Sequence, residues 1–252
     1  MTLMKLLDPR PSLKGLGGRM LDWLYPSSCA VCEKIQPGGS TLCAGCDDLL
    51  PRLADPFCLK CGEHFEGRIE DAFVCPNCSD LSFSFSFARP AMMLDDRTRA
   101  MIHRLKYGRG IHLADRLGKL AAEAFSDERL AVALEQKWPL VPVPLHRSRQ
   151  AWRHFNQAEE IGRSLAKVTG LPMLNALKRV RATTTQTQLS RSQRLKNLKG
   201  AFATTRAGER WPMKGGVVLV DDVLTTGSTL DACAKALLKS GFREVVAVAV
   251  MR

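Results

Sequence analysis

No run of apolar residues in this chain approaches the roughly 18 needed to cross a bilayer, so the sequence offers no membrane-spanning helix. Residues 1–26 also lack the sustained apolar stretch of a secretory signal. They carry Leu13, Leu16, Met20, Leu21 and Leu24 at near-helical spacing, which predicts an amphipathic helix docked on the protein. A cytoplasmic protein is expected. No GxxxxGK[ST] segment occurs, which removes a P-loop nucleotide site. Aromatic residues are only 6% of the chain, so any stacking on nucleic-acid bases would rest on a few rings such as Tyr107, Trp152 and Phe155. Acidic residues are short as well: 25 against 37 lysines and arginines, a net charge of +12 that suits polyanions without choosing among nucleic acid, phosphorylated metabolites and acidic surfaces.

Cysteine, by contrast, is plentiful and ordered. Eight of the nine cysteines form four identical CxxC pairs, Cys29/Cys32, Cys43/Cys46, Cys58/Cys61 and Cys75/Cys78. Each CxxC turn aims two thiolates at one ion, and two turns complete a tetrahedral site, so two structural Zn²⁺ ions are expected rather than four disulfides. Four sulfur ligands leave no position for a catalytic water. Fe–S ligation is the minor alternative. Consecutive pairing would give two ribbons in tandem and alternate pairing a cross-brace; the hairpin-length gaps 33–42 and 62–74 favour the ribbons. Gly62 directly after Cys61 suits a knuckle residue with positive φ. His64 is read as an exposed histidine outside both sites. A segment of about 50 residues cannot build its own core, so metal should supply most of its stability. Cys233 stands apart and reads as a core residue.

The second ordered feature is Asp221-Asp222, which follows the apolar run Val217-Val218-Leu219-Val220 and precedes Val223, Leu224, Thr225, Thr226, Gly227, Ser228 and Thr229. A continuous β-branched run fits a strand buried on both faces of a parallel sheet, and the helix predicted over 230–239 would present its unpaired N–H groups to an anion. Ligands bind at that end of open α/β sheets. Two carboxylates beside a phosphate site require something neutral or a bridging cation between them, and sugar hydroxyls and Mg²⁺ satisfy this. Residues 217–229 resemble, without a gap, the 5-phosphoribosyl-1-pyrophosphate (PRPP) motif of type I phosphoribosyltransferases. That resemblance implies Asp221 and Asp222 on the ribose hydroxyls and Thr225, Thr226, Gly227, Ser228 and Thr229 on the 5′-phosphate, with Mg²⁺ carried by PRPP.

Between these features the pattern alternates strand and helix. Phe83, Phe85 and Phe87 alternate with serine as in a strand; helices are predicted over 97–107, 113–125 and 158–169, the last ending near Gly170. Residues 138–144 read as a short strand with alternating prolines, and 244–251 as a final buried strand. Residues 171–180 are ambiguous, 183–193 read as a polar loop and 191–199 as a further helix. The expected architecture is α/β, a mainly parallel sheet flanked by helices over 81–252, preceded by an amphipathic segment at 1–26 and a double zinc ribbon at 27–80.

The combination resembles the competence protein F (ComF) family, also called the GntX-type phosphoribosyltransferase-like family. The resemblance is carried by 24–29, the tandem cysteine pairs, Leu105-Lys106-Tyr107, 141–144, Phe155-Asn156-Gln157-Ala158, the stretch from Thr185-Gln186 to Phe202, and the PRPP motif. It implies a pyrophosphate loop at Pro144, Leu145, His146 and Arg147, and a mobile flap at 183–199. Members more often have glycine where this chain has His154, which replaces a residue able to take positive φ. It also implies a role in natural transformation or DNA metabolism, with DNA-processing proteins as partners. Three functions follow: transfer from PRPP to an unknown acceptor, binding of single-stranded DNA through Lys106, Arg109, Arg149 and Arg153, or PRPP sensing without turnover.

Overall fold

The structure is a computed structural model, and it describes residues 27–36, 39–69, 72–107, 110–181, 197–212 and 214–252. The predicted amphipathic helix at 1–26, Arg109 and nearly all of the predicted flap lie outside the described residues.

Two short helices belong to the cysteine-rich region, α1 (Ala44–Asp48) and α2 (Pro76–Ser79). The larger unit follows as β1 (Ala88–Met92), α3 (Asp96–Tyr107), α4 (Leu113–Ala122), α5 (Ala131–Glu135), β2 (Leu140–Pro142), α6 (Arg147–Arg153) and α7 (Gln157–Thr169). It continues with β3 (Leu177–Arg179), β4 (Phe202–Thr204), α8 (Arg206–Glu209), β5 (Gly216–Val223), α9 (Ser228–Lys239) and β6 (Glu244–Met251). Four strands form one parallel sheet in the order β1-β6-β5-β2, and β3 and β4 make a separate antiparallel pair. All four parallel strands therefore end along one edge.

Successive residues of β5 point to opposite faces, and both faces are covered. Val218 and Val220 pack with Met101, Leu105, Leu117, Ile161 and Leu165 of α3, α4 and α7. Val217 and Leu219 pack on the other face with Leu230, Cys233 and Leu237 of α9. This two-sided burial is why the strand reads as an unbroken apolar run. Cys233 is buried in that second layer, as expected.

The cysteine-rich region is fused to the sheet rather than tethered beside it. Its backbone runs along the outer edge of β1: Leu53 N–H donates to the carbonyl of Ala91 at 2.9 Å and Ala88 N–H to that of Lys60 at 2.9 Å. An otherwise open edge strand is thus covered. Arg129 donates to the carbonyl of Leu59 at 2.7 Å, and Arg52 pairs with Glu123 at 3.0 Å. Cys29 packs in the layer on one face of the sheet, and Cys58, Cys61, Cys75 and Cys78 in the layer on the other.

Several predicted boundaries move for local reasons. Residues 83–87 are not a strand; β1 begins only at Ala88. The rings of Phe83 and Phe85 stack on each other, with centroids 4.6 Å apart and planes at 17°, instead of alternating across a sheet. The helix predicted over 113–125 ends at Ala122 and tightens into a 3₁₀ turn, Glu123–Ser126. α9 starts two residues before the predicted 230, immediately after Gly227, whose φ of 76° sets the turn. The helix predicted over 158–169 starts one residue earlier and ends at Gly170 in the left-handed region, as anticipated.

Candidate functional site

Two CxxC knuckles converge at each of two places: Cys29, Cys32, Cys43 and Cys46 at one, Cys58, Cys61, Cys75 and Cys78 at the other, with all sulfurs of a set within 4.8 Å of one another. The pairing is consecutive, and His64 stays outside, its Nδ1 lying 3.2 Å from the carbonyl oxygen of Ala54. Four sulfurs held tetrahedrally about 2.3 Å from one ion lie about 3.8 Å apart. One Sγ–Sγ distance in each set, 3.8 Å for Cys32–Cys43 and 3.7 Å for Cys61–Cys75, matches that edge. The bare thiols of each tetrad ionise unequally: Cys29 is lowered to about 6, its burial outweighed by backbone hydrogen bonds, and Cys58 to about 4, first by its hydrogen bond with Cys61, whereas Cys46 is pushed up to about 12, first by its hydrogen bond with Cys43, and Cys75 up to about 12, first by burial and then by Cys78. Four thiolates at this spacing call for a cation. Two structural zinc ions fit the donor sets. At the third knuckle Gly62 has φ 68°, as expected, and a Cβ there would meet Cδ of Pro90 at 2.2 Å, which excludes any side chain.

At the C-terminal edge of the sheet lies a cavity of about 350 Å³. Its acidic side is Asp221 and Asp222, which lie at the end of β5, as expected, just before its last residue Val223. Asp222 N–H donates to Oδ1 of Asp221 at 2.9 Å, and Lys106 of α3 pairs with Asp222 at 2.7 Å. Burial, and next the charge of Asp222, push the Asp221 carboxyl up to about 8, with Lys106 opposing. Facing them are Arg149 and Arg153 of α6 and Arg179 of β3. Burial, and then the neighbouring charge of Arg149, push the Arg179 guanidinium below its usual range. An oxyanion between the two would relieve that repulsion.

Thr225 and Thr229 also line this cavity, and Thr225, Gly227, Ser228 and Thr229 share a small recess with Asp221 at the N-terminus of α9. Thr226 touches neither space; its hydroxyl is 2.9 Å from that of Ser228 and braces the turn. Among the predicted pyrophosphate residues, Pro144 and Leu145 reach the acidic cavity, while His146 and Arg147 line an adjoining one of about 560 Å³. The His146 ring caps α6, accepting from Ser148 N–H at 3.3 Å. Of the residues read as nucleic-acid contacts, Lys106, Arg149 and Arg153 all face the acidic cavity.

Sequence reasoning missed Arg179, which sits in the segment read as ambiguous. It also left Asn156 and Gln157 without a role. Asn156 is buried, donates Nδ2–H to the carbonyl of Val143 at 3.0 Å and accepts from Ala158 N–H at 3.2 Å, so it caps α7 and fastens that helix to the loop after β2. Gln157 accepts from Arg153 at 3.1 Å and aims it at the cavity. His154 ends α6 with φ 67°, the left-handed conformation expected of glycine. The strain of an L-residue there is about 1 kcal/mol, and the ring is exposed, so His154→Gly is expected to raise stability by about that amount in urea unfolding.

The matching family model is the double zinc ribbon domain, over residues 20–79. Competence protein F of Haemophilus influenzae is 32% identical over 205 residues, 81% of this chain and 87% of that protein. The DNA utilization protein YhgH of Escherichia coli strain K12 is 32% identical over 215 residues, 84% of this chain and 85% of that protein. Competence protein ComFC of Streptococcus pneumoniae is 27% identical, with 84% and 88% covered. No helix among the described residues is long and apolar enough to cross a membrane.

Proposed function

This chain belongs to the family of competence protein F and YhgH, and from that membership we propose that it binds Mg²⁺-PRPP, or a related phosphoribosyl ligand, and acts in the use of incoming DNA. One observation carries the ligand: an acidic strand end and the N-terminus of a helix open into the same cavity, opposite three arginines. In this reading Asp221 and Asp222 accept from the ribose 2′- and 3′-hydroxyls, and the turn from Thr225 to Thr229 holds the 5′-phosphate on α9. Lys106, Arg149, Arg153 and Arg179 hold the pyrophosphate oxygens, with Mg²⁺ arriving as part of the ligand.

As the bond from C1 to pyrophosphate breaks, positive charge grows on the ribose and negative charge on the leaving group. Carboxylates on one wall and guanidiniums on the other favour that separation.

A second reading, single-stranded DNA at the same mouth, is favoured by two exposed rings. Tyr107 is 53% exposed and Trp152 63%, their centroids are 5.7 Å apart, and Arg153 lies 5.3 Å from the Tyr107 centroid. Exposed rings beside cations are what stacking on bases requires. Calorimetric titration with Mg²⁺-PRPP, followed by a pyrophosphate-release assay with and without single-stranded DNA, tests both. Binding with DNA-dependent release is expected if DNA supplies the acceptor; binding without release leaves a sensor; no binding rejects the PRPP reading.

A further inference from the structure

We propose that Glu63 and Arg252 form a positioning bridge from the second cysteine tetrad to the phosphate loop, so that metal occupancy of that tetrad raises the loop's affinity for its anion. The inference rests on the anion-site reading above. Glu63 follows the knuckle directly: it comes two residues after Cys61, and its carbonyl accepts from Cys58 N–H at 2.8 Å. Its carboxylate meets Nη2 of Arg252 at 2.9 Å, and Nη1 of the same guanidinium donates to the carbonyl oxygen of Thr225 at 2.7 Å. One planar fork thus joins a residue of the knuckle to the first residue of the phosphate turn.

The bridge is stiff at its base. Arg252 N–H donates to the carbonyl of Met92 at 3.0 Å, and its own carbonyl accepts from Leu94 N–H at 2.6 Å. The arginine side chain is only 14% exposed, so its two charge-assisted bonds are weakly screened. A second support comes from the segment just beyond Cys78. Ser84 N–H donates to Asp231 in the first turn of α9 at 2.8 Å, and the Phe83 ring closes on Gly227 so nearly that a Cβ there would stand 3.1 Å away. The phosphate turn is held from both sides by the ends of the second ribbon.

No hydrogen bond or ion pair among the described residues runs from the first tetrad's knuckles to residues 224–229. The first site is therefore an internal control. Order at the loop lowers the entropic cost of binding an anion there, and by linkage a bound anion must raise the second tetrad's affinity for its metal by the same factor.

The test compares wild type with Glu63→Gln, Arg252→Gln and Arg252→Lys, each checked for two bound metals per chain. Amide exchange over 224–230 and the dissociation constant for Mg²⁺-PRPP are the readouts. Faster loop exchange is expected in all three variants, with affinity lower by about 5–10-fold and the double variant Glu63→Gln/Arg252→Gln no worse than either single one. Arg252→Lys keeps the charge without the fork; full recovery in that variant would reduce the residue to a bare charge and overturn the positioning role. Unchanged loop exchange in metal-replete Glu63→Gln and Arg252→Gln would overturn the bridge itself. If wild type binds no Mg²⁺-PRPP, the PRPP reading falls while the exchange comparison still decides the bridge.

Discussion

Replacing Cys61 with serine is expected to cost this protein its fold, whereas replacing Cys32 is expected to cost it one metal ion. Both residues complete a tetrad, and the sequence alone gives no reason to rank them. The structure does: Cys58, Cys61, Cys75 and Cys78 are all buried, inside the layer that also holds Val217, Leu219 and Leu237, whereas of the first tetrad Cys29 alone is buried, Cys32 is exposed and Cys43 and Cys46 are half-buried. A structural zinc site contributes about 10 kcal/mol or more of apparent binding free energy at neutral pH. That is comparable to the whole stability of a domain. Losing the second site also leaves three thiols without their ion in a packed layer, so the sheet and α9 should melt with it. The first site can fray against solvent while the sheet stays intact.

The measurement is a chelator titration of wild type, with metal release followed by a chromophoric dye and the fold by circular dichroism. Two phases are expected, the first without loss of secondary structure and the second together with global unfolding. Cys32→Ser should remove the first phase and keep the fold. Release of both ions in a single step, or equal damage from the two substitutions, would contradict the ranking. Chelation is thus expected to loosen first only the half of the cysteine-rich region around the first tetrad.

What the sequence could and could not convey divides along the range of the interactions. The cysteine pairs and the segment 217–229 are local: a CxxC turn aims its own thiolates, and a strand buried on both faces must be apolar at every position. Consecutive pairing followed from gap lengths for the same reason. Arg179 carries no such local mark, because its place opposite Asp221 depends on β3 pairing with β4 some 25 residues later. The role of Arg252 is equally silent, since Glu63 lies 189 positions away. The phenylalanines at 83, 85 and 87 misled because period-two spacing is also what two stacked rings and a buried third produce outside a sheet. Lys106, Arg149 and Arg153 were read as contacts for single-stranded DNA, and only the fold shows them lining one cavity with the carboxylates.

The two carboxylates should separate stability from binding in opposite ways. Asp221 has its carboxyl raised to about 8, by burial first and the Asp222 charge second. A folded-state value above the ordinary one means that the native protein holds a proton the unfolded chain has released. Ligand-free stability therefore falls as pH rises from the usual carboxylate range through about 8, and the penalty is complete above that. Asp221→Asn removes the penalty, so its urea midpoint should exceed that of wild type at pH 9 and lose this slope between pH 5 and 9. Asp222→Asn lacks this benefit, because it leaves the Lys106 ammonium without its partner. In the proposed site each carboxylate accepts a charge-assisted hydrogen bond from a ribose hydroxyl, and losing one such bond costs about 1.5–3 kcal/mol, roughly 10- to 100-fold in affinity. Asp221→Asn should thus be more stable and bind Mg²⁺-PRPP more weakly, and the double variant should not bind measurably. If Asp221→Asn gains stability with its PRPP affinity intact, the acidic pair has another purpose.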